Sequence, residues 1–122
     1  MFLNDLFSII TEEKSEKQAT FTIRLNKEHA IYSGHFPDSP ITPGVCIVQI
    51  VGELLGERLG RQFALSKIVN LKFVSTISPV ETPMVEVHFD SVELNGSECK
   101  AKGVITAEDG VKTKFSILYD EQ

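Results

Sequence analysis

Pro43-Gly44-Val45-Cys46-Ile47-Val48-Gln49-Ile50-Val51-Gly52-Glu53-Leu54-Leu55-Gly56-Glu57-Arg58-Leu59-Gly60 is the stretch on which the fold turns. Its apolar spacing predicts a helix from about Pro43 to Leu59 or Gly60. Thr42 serves as N-cap, Pro43 takes the first helical position, and Gly60 stops the helix. At about 100° per residue, Ile47, Ile50, Val51, Leu54 and Leu55 cover one broad side. Val45, Gln49, Gly52, Glu53, Gly56 and Gly60 gather on the other. Each glycine in a helix costs about 1 kcal/mol relative to alanine. Something must therefore approach this face closely, either another element packed tight or an apolar ligand lying along a groove. A helix this apolar is a buried, central one.

Outward from the helix the periodicity changes to two. On its N-terminal side Ala19, Phe21, Ile23 and Leu25 alternate with Thr20, Thr22, Arg24 and Asn26, a half-buried strand. Between strand and helix runs a long loop, about Lys27 to Thr42. Apolar residues at 2, 3, 6, 7, 9 and 10 predict a short helix beginning in Phe2–Ile10. On the C-terminal side, strands are expected over about 66–75, 84–94, 97–107 and 111–119. Asn95-Gly96 and Asp109-Gly110 supply two-residue hairpin turns between the last three. The expected architecture is α+β: an antiparallel sheet of five to six strands against one long helix, in a single domain covering 1–122.

Composition bounds the function. The 122 residues carry a net charge of −5, which argues against general nucleic-acid binding, since neutralising phosphates needs a basic face. No apolar run approaches the roughly 20 residues that span a bilayer. Met1-Phe2-Leu3-Asn4-Asp5 has neither a basic start nor a small-residue cleavage site, so a cytoplasmic location is expected. Two cysteines, Cys46 and Cys99, make neither a disulfide framework nor a zinc site.

The chemistry concentrates in Gly34-His35-Phe36-Pro37-Asp38-Ser39-Pro40-Ile41-Thr42-Pro43-Gly44-Val45. Three prolines within seven positions stiffen this loop, and a stiff loop ending at a helix start can hold His35 in a defined place. The helix start presents unpaired N–H groups and the positive end of the dipole. Pro43 has no donor and Gly44 no side chain, so the Gly44 and Val45 amides are open to a substrate oxygen, the geometry of an oxyanion site.

Gly34-His35-Phe36-Pro37, then Pro40-Ile41 and Pro43-Gly44-Val45, resembles the signature of the β-hydroxyacyl-acyl carrier protein dehydratases. The resemblance implies the hotdog fold, in which an antiparallel sheet wraps a central helix, and it covers about residues 18–120. It implies that His35 takes the proton alpha to a thioester carbonyl while the Gly44 amide polarises that carbonyl. The family's second catalytic group is a carboxylate five residues after that glycine; here the position holds Gln49, which cannot deliver a proton near neutral pH. Three readings follow. His35 handles both proton transfers while Gln49 orients the departing hydroxyl; Glu53, one turn later, substitutes; or the chain is half of a pair whose partner supplies the carboxylate. The substrate channel is expected to involve Phe36, Val45, Val48, Gly52, Glu53 and Gly56.

The resemblance also implies partners: an acyl carrier protein bearing the substrate, and a homodimer or a heterodimer with a carboxylate-bearing hotdog subunit. Docking cations are sought among Arg58, Arg61, Lys67, Lys72, Lys100, Lys102, Lys112 and Lys114. No metal, nucleotide or flavin motif is present, and dehydration requires no cofactor. Cys46 in the first helical turn reads as buried and inert, Cys99 as carrying no signal, His29 as a surface residue, and His88 as exposed on a sheet face. An acyl thioesterase is the alternative enzyme, and a non-catalytic subunit of a heteromeric dehydratase the alternative role.

Overall fold

The computed structural model describes residues 1–16, 18–34 and 38–122. Among these residues, six strands and one long helix follow in the order β1 (Phe7–Lys14), β2 (Ala19–Leu25), α1 (Gly44–Leu59), β3 (Phe63–Phe73), β4 (Met84–Asn95), β5 (Glu98–Ala107) and β6 (Gly110–Glu121), with a 3-10 turn at Ala30–Tyr32 ahead of α1. The sheet is antiparallel throughout and runs β1-β2-β4-β5-β6-β3. The helix excursion from β2 lands the chain on the far edge as β3, and β4-β5-β6 then fill the middle as a meander.

Alternation decides which way each strand faces. Phe21 and Ile23 of β2, Val85, Val87 and Phe89 of β4, and Phe115, Ile117 and Tyr119 of β6 point to one side and are buried. They meet Ile47, Ile50, Val51, Leu54 and Leu55 of α1, the broad apolar side read from the sequence. Gly103 shows how tight this layer is. It pairs with Phe89 on one side and Phe115 on the other. Those two rings meet edge to face above it with centroids 5.7 Å apart. A Cβ on residue 103 would run into the His88 carbonyl oxygen and the Phe115 ring.

Several expectations shift. The apolar residues of Phe2–Ile10 do not start a helix. Residues 4–6 form a turn, with Asn4 at φ 65°, and β1 begins at Phe7. Pairing with β2 satisfies backbone groups that a short isolated helix would leave to water. The strand expected over 66–75 lies at Phe63–Phe73, because two bulges let it begin earlier beside the end of β6. The two hairpin loops are Gly96-Ser97 and Glu108-Asp109, each one residue off the expected pair. Gly96, at φ 66°, opens the first loop, and Gly110, at φ 127°, follows the second.

Two glycines make a stability test. Gly103→Ala is expected to cost more than about 3 kcal/mol, since backbone must move to admit the methyl group. Gly96→Ala, with open space around it, should cost only the left-handed backbone penalty of about 1–2 kcal/mol. Urea unfolding of the two variants checks the difference.

Candidate active site

The helix start is built by backbone. Pro43, at φ −62° and ψ 147°, is the N-cap and offers no side-chain bond. Its carbonyl accepts from the Cys46 and Ile47 amides at 3.0 and 3.1 Å. Among the described residues, the Gly44 and Val45 N–H groups find no acceptor, as is general for the first turn of a helix. Thr42 is not the cap. Its hydroxyl is 2.9 Å from the buried Tyr32 hydroxyl, and its amide donates to Ile77 at 2.8 Å. The Tyr32–Thr42 bond ties together the two flanks of the loop that carries the Gly34-to-Pro40 signature. His35 and Phe36 lie outside the described residues.

The glycine face of α1 opens on a groove of about 920 Å³. Val45, Val48, Gln49, Gly52, Glu53 and Gly56 all line it from the helix side, facing Leu65 of β3 and Tyr119 of β6. Five of the six residues expected in the channel are thus brought together along one helical stripe, which also carries Gln49. The close approach that the glycines require is made by the chain itself. A Cβ on Gly52 would sit 2.7 Å from the Tyr119 ring, and one on Gly56 would sit 2.5 Å from the Arg61 carbonyl oxygen. Gly44 likewise faces the tip of the Phe73 ring, 2.8 Å from where its Cβ would be. Gly60, at φ 68°, closes the helix as expected and returns its amide to Gly56.

Tyr119 anchors the floor. Its hydroxyl donates to the Val48 carbonyl at 2.7 Å. Burial pushes the phenol well up, with the Cys99 thiol adding to the effect, so it keeps its proton and remains a donor.

Glu53 is occupied in a way that sequence reasoning missed. Its Oε1 accepts from the Phe2 and Leu3 amides at 2.9 and 2.8 Å. Its Oε2 accepts from the Phe2 amide at 2.8 Å and from Gln49 Nε2 at 2.9 Å. Backbone donors fifty residues away leave no trace in a sequence; the only legible signal was the i, i+4 spacing of Gln49 and Glu53.

His29 is half-buried and held by neighbours rather than free in solvent. Its Nδ1 accepts from the Ile31 amide at 3.0 Å, its Nε2 lies 3.0 Å from the Asp5 carboxylate, and its ring meets Phe2 edge-on. His88 is half-buried rather than exposed, between the Thr20 and Thr106 hydroxyls at 3.1 and 3.2 Å. Among the expected docking cations, Arg58 donates to the Ser15 carbonyl, Arg61 pairs with Glu121, and Lys112 is buried against Asp109. The register places Lys67, Lys72, Lys100, Lys102 and Lys114 together on the outer face of the sheet, away from the groove. Among the described residues no cluster of metal-ligating side chains occurs, and no helix is long and apolar enough to cross a membrane.

Comparison with known proteins fits this geometry. The family model for ApeI dehydratase, ApeI-like, matches residues 11–108. A 3-hydroxyacyl-[acyl-carrier-protein] dehydratase FabZ from Fusobacterium nucleatum is 30% identical over 102 residues, 80% of this chain and 70% of the relative. The FabZ of Thermoanaerobacter sp. strain X514 is 28% identical over 117 residues, 90% of this chain and 81% of the relative. The chain belongs to the hotdog-fold 3-hydroxyacyl-acyl carrier protein dehydratase family, and within it matches the ApeI-like model. In fold it is similar to the dehydratase heterocomplex ApeI:P from Xenorhabdus doucetiae, with a TM-score of 0.65 at 18% identity, covering 92% of this chain and 96% of that one. It is also similar to a hypothetical thioesterase from Streptococcus pneumoniae solved with coenzyme A, with a TM-score of 0.63 at 10% identity, covering 95% and 85%.

Both cysteines are buried and free. Burial raises the Cys46 thiol and pushes Cys99 up to about 11, outweighing the opposing pull of Arg61. Cys99, which carried no signal in the sequence, is a core residue. The thiolate is the reactive form. Its population at Cys99 grows only as pH rises toward that value, and is on the order of one in a thousand at pH 8. A disulfide-exchange reagent at pH 8 is therefore expected to label neither cysteine in the native protein and both after unfolding in guanidinium.

Proposed function

We propose that the protein eliminates water from a 3-hydroxyacyl thioester carried on an acyl carrier protein, giving the trans-2-enoyl thioester. The observation that carries this reading is the helix start. Gly44 and Val45, whose amides find no acceptor among the described residues, directly follow the His35 signature, and Val45 lines the same groove as Gln49. His35 takes the alpha proton as the Gly44 amide stabilises charge on the thioester oxygen. The electron pair forms the new double bond, the C3–O bond breaks, and the imidazolium returns its proton to the departing hydroxyl. Water leaves and the histidine is neutral again. Gln49 holds the hydroxyl rather than protonating it. Val45, Val48, Gly52 and Gly56, with Phe36, serve the acyl chain.

The purified protein should dehydrate a 3-hydroxyacyl thioester, with His35→Ala lowering kcat/KM at least about 10²-fold. Turnover unchanged by His35→Ala would refute the assignment. Gln49→Glu should raise the rate about tenfold or more if proton delivery limits it. The introduced carboxyl would face Glu53, and like-charge repulsion favours its protonated, proton-donating form. Thiol release from a non-hydroxylated acyl thioester would instead indicate the thioesterase reading.

The partner reading rests on the uncovered part of the inner face. Leu65, Ile68 and Phe73 of β3 point inward yet are 50%, 43% and 51% exposed, and Val45 at the helix start is 80% exposed. An open edge strand with this apolar face calls for a second hotdog subunit, either a copy of this chain or a partner bearing the carboxylate that Gln49 replaces. The fold neighbour that is a dehydratase heterocomplex supports the second form. Light scattering should give a dimer mass for the chain alone or with such a partner, and Ile68→Glu should halve it. A monomer in both samples would remove the partner reading.

A further inference from the structure

We infer that Glu53 is a positioning residue that fixes the roll of the Gln49 side-chain amide, so that Gln49 presents its carbonyl oxygen, an acceptor, to the substrate hydroxyl. This inference rests on the dehydratase reading above, which names the hydroxyl but leaves open how a glutamine would hold it.

A glutamine amide has a donor end and an acceptor end, and in open solvent it turns freely between them. Here it does not stand alone. Gln49 Nε2 donates to Glu53 Oε2 at 2.9 Å. A carboxylate only accepts, so the NH2 end must face it. Oε1 then becomes the end available to a molecule in the groove that both residues line.

The carboxylate is held in turn. Phe2 donates to both of its oxygens at 2.9 and 2.8 Å, and Leu3 donates to Oε1 at 2.8 Å. The segment that brings these amides has anchors of its own. Phe2 packs edge-on against His29, and Asp5 lies 3.0 Å from His29 Nε2. Bonds to a charged group are stronger than neutral ones. A side chain pinned from behind by three such contacts is a fixed reference for its neighbour one turn earlier. The same arrangement speaks against Glu53 replacing the missing acid. Both of its oxygens already receive N–H bonds, and it lies about 6 Å along the helix axis from Gln49. Its effect on the reaction passes through Gln49.

The test compares two ligands differing only in the hydroxyl, 3-hydroxybutyryl- and butyryl-N-acetylcysteamine thioesters. In Glu53→Gln, kcat/KM for the hydroxyacyl thioester should fall about tenfold, while the inhibition constant of the butyryl thioester stays within twofold. In a Gln49→Leu background the same change should cost nothing further. Glu53→Asp, which keeps an acceptor one methylene short, should fall between, and it serves alone if Glu53→Gln does not fold. A parallel loss for both ligands, an undiminished loss in the Gln49→Leu background, or no loss at all would overturn the positioning role. A second readout needs no turnover. The Nε2 proton signals of Gln49, followed by nitrogen-15 NMR, should be displaced in the parent protein and move to free-amide positions in Glu53→Gln. Free-amide signals in the parent protein would refute the positioning role whatever the reaction. A parent protein with displaced signals but no dehydration would refute only the reaction reading.

Discussion

The contact between Tyr119 and the glycine face of α1 sets the geometry on which the rest depends. Without a side chain at residue 52 the phenol ring lies against the helix backbone, and its hydroxyl reaches the Val48 carbonyl. One hydrogen bond contributes only about 1 kcal/mol net. The larger consequence is positional, because the bond locks the helix's roll and height against β6. That roll turns Ile50, Val51, Leu54 and Leu55 into the core and leaves Val45, Gln49 and Glu53 along the groove. The helical glycines are thus costs that packing offsets. Gly52 and Gly56 also line the groove, so tight packing and an open groove share that face.

The same constraint explains why the inner layer is finished on one side only. Across β2, β4 and β6, Phe21, Phe89 and Phe115 form an edge-to-face row, with Gly103 of β5 making room between the last two. At the β3 side the helix does not reach far enough to cover Leu65, Ile68 and Phe73. Two bulges on β3 twist that edge and interrupt its ladder with β6. The strand whose inner face stays open beside the candidate groove is where the proposed second subunit would sit.

Much of this was legible in the sequence because periodicity reports burial directly. The helix, its glycine stop at Gly60, β2 and the three-stranded meander all follow from spacings of 3.6 and 2 with turn residues between them. The stretch from Phe2 to Ile10 misled because its apolar positions fit both spacings. Only the neighbouring strand, which must have its backbone groups paired, decides for β1. In the candidate site, the residues expected along the helix stripe could be placed together since helical geometry alone aligns them. What could not be read were partnerships made by backbone. The Phe2 and Leu3 amides on Glu53, the Pro43 carbonyl at the helix start and the Val48 carbonyl under Tyr119 involve groups that every residue carries. Arg58 and Arg61 read as free cations for a similar reason, since each takes a partner that only the fold brings near.

A glutamine at the position where the family carries a carboxylate changes what the neighbouring residues must do. A carboxylic acid there would both hold and protonate the departing hydroxyl. An amide can only hold it, and holds it well only if its roll is fixed, since a free amide offers a donor as readily as an acceptor. The Glu53 carboxylate supplies that constraint at the distance of one helical turn, and it is itself steadied by the chain's opening residues. In the proposed reaction, proton return falls to the imidazole, which requires the motif loop to stay put between the two transfers. The buried Tyr32–Thr42 bond and the His29 contacts ahead of it anchor the loop's flanks. In the proposed reaction, a glutamine on the helix thus shifts the demand from proton affinity to geometry, and the anchors lie where that demand falls.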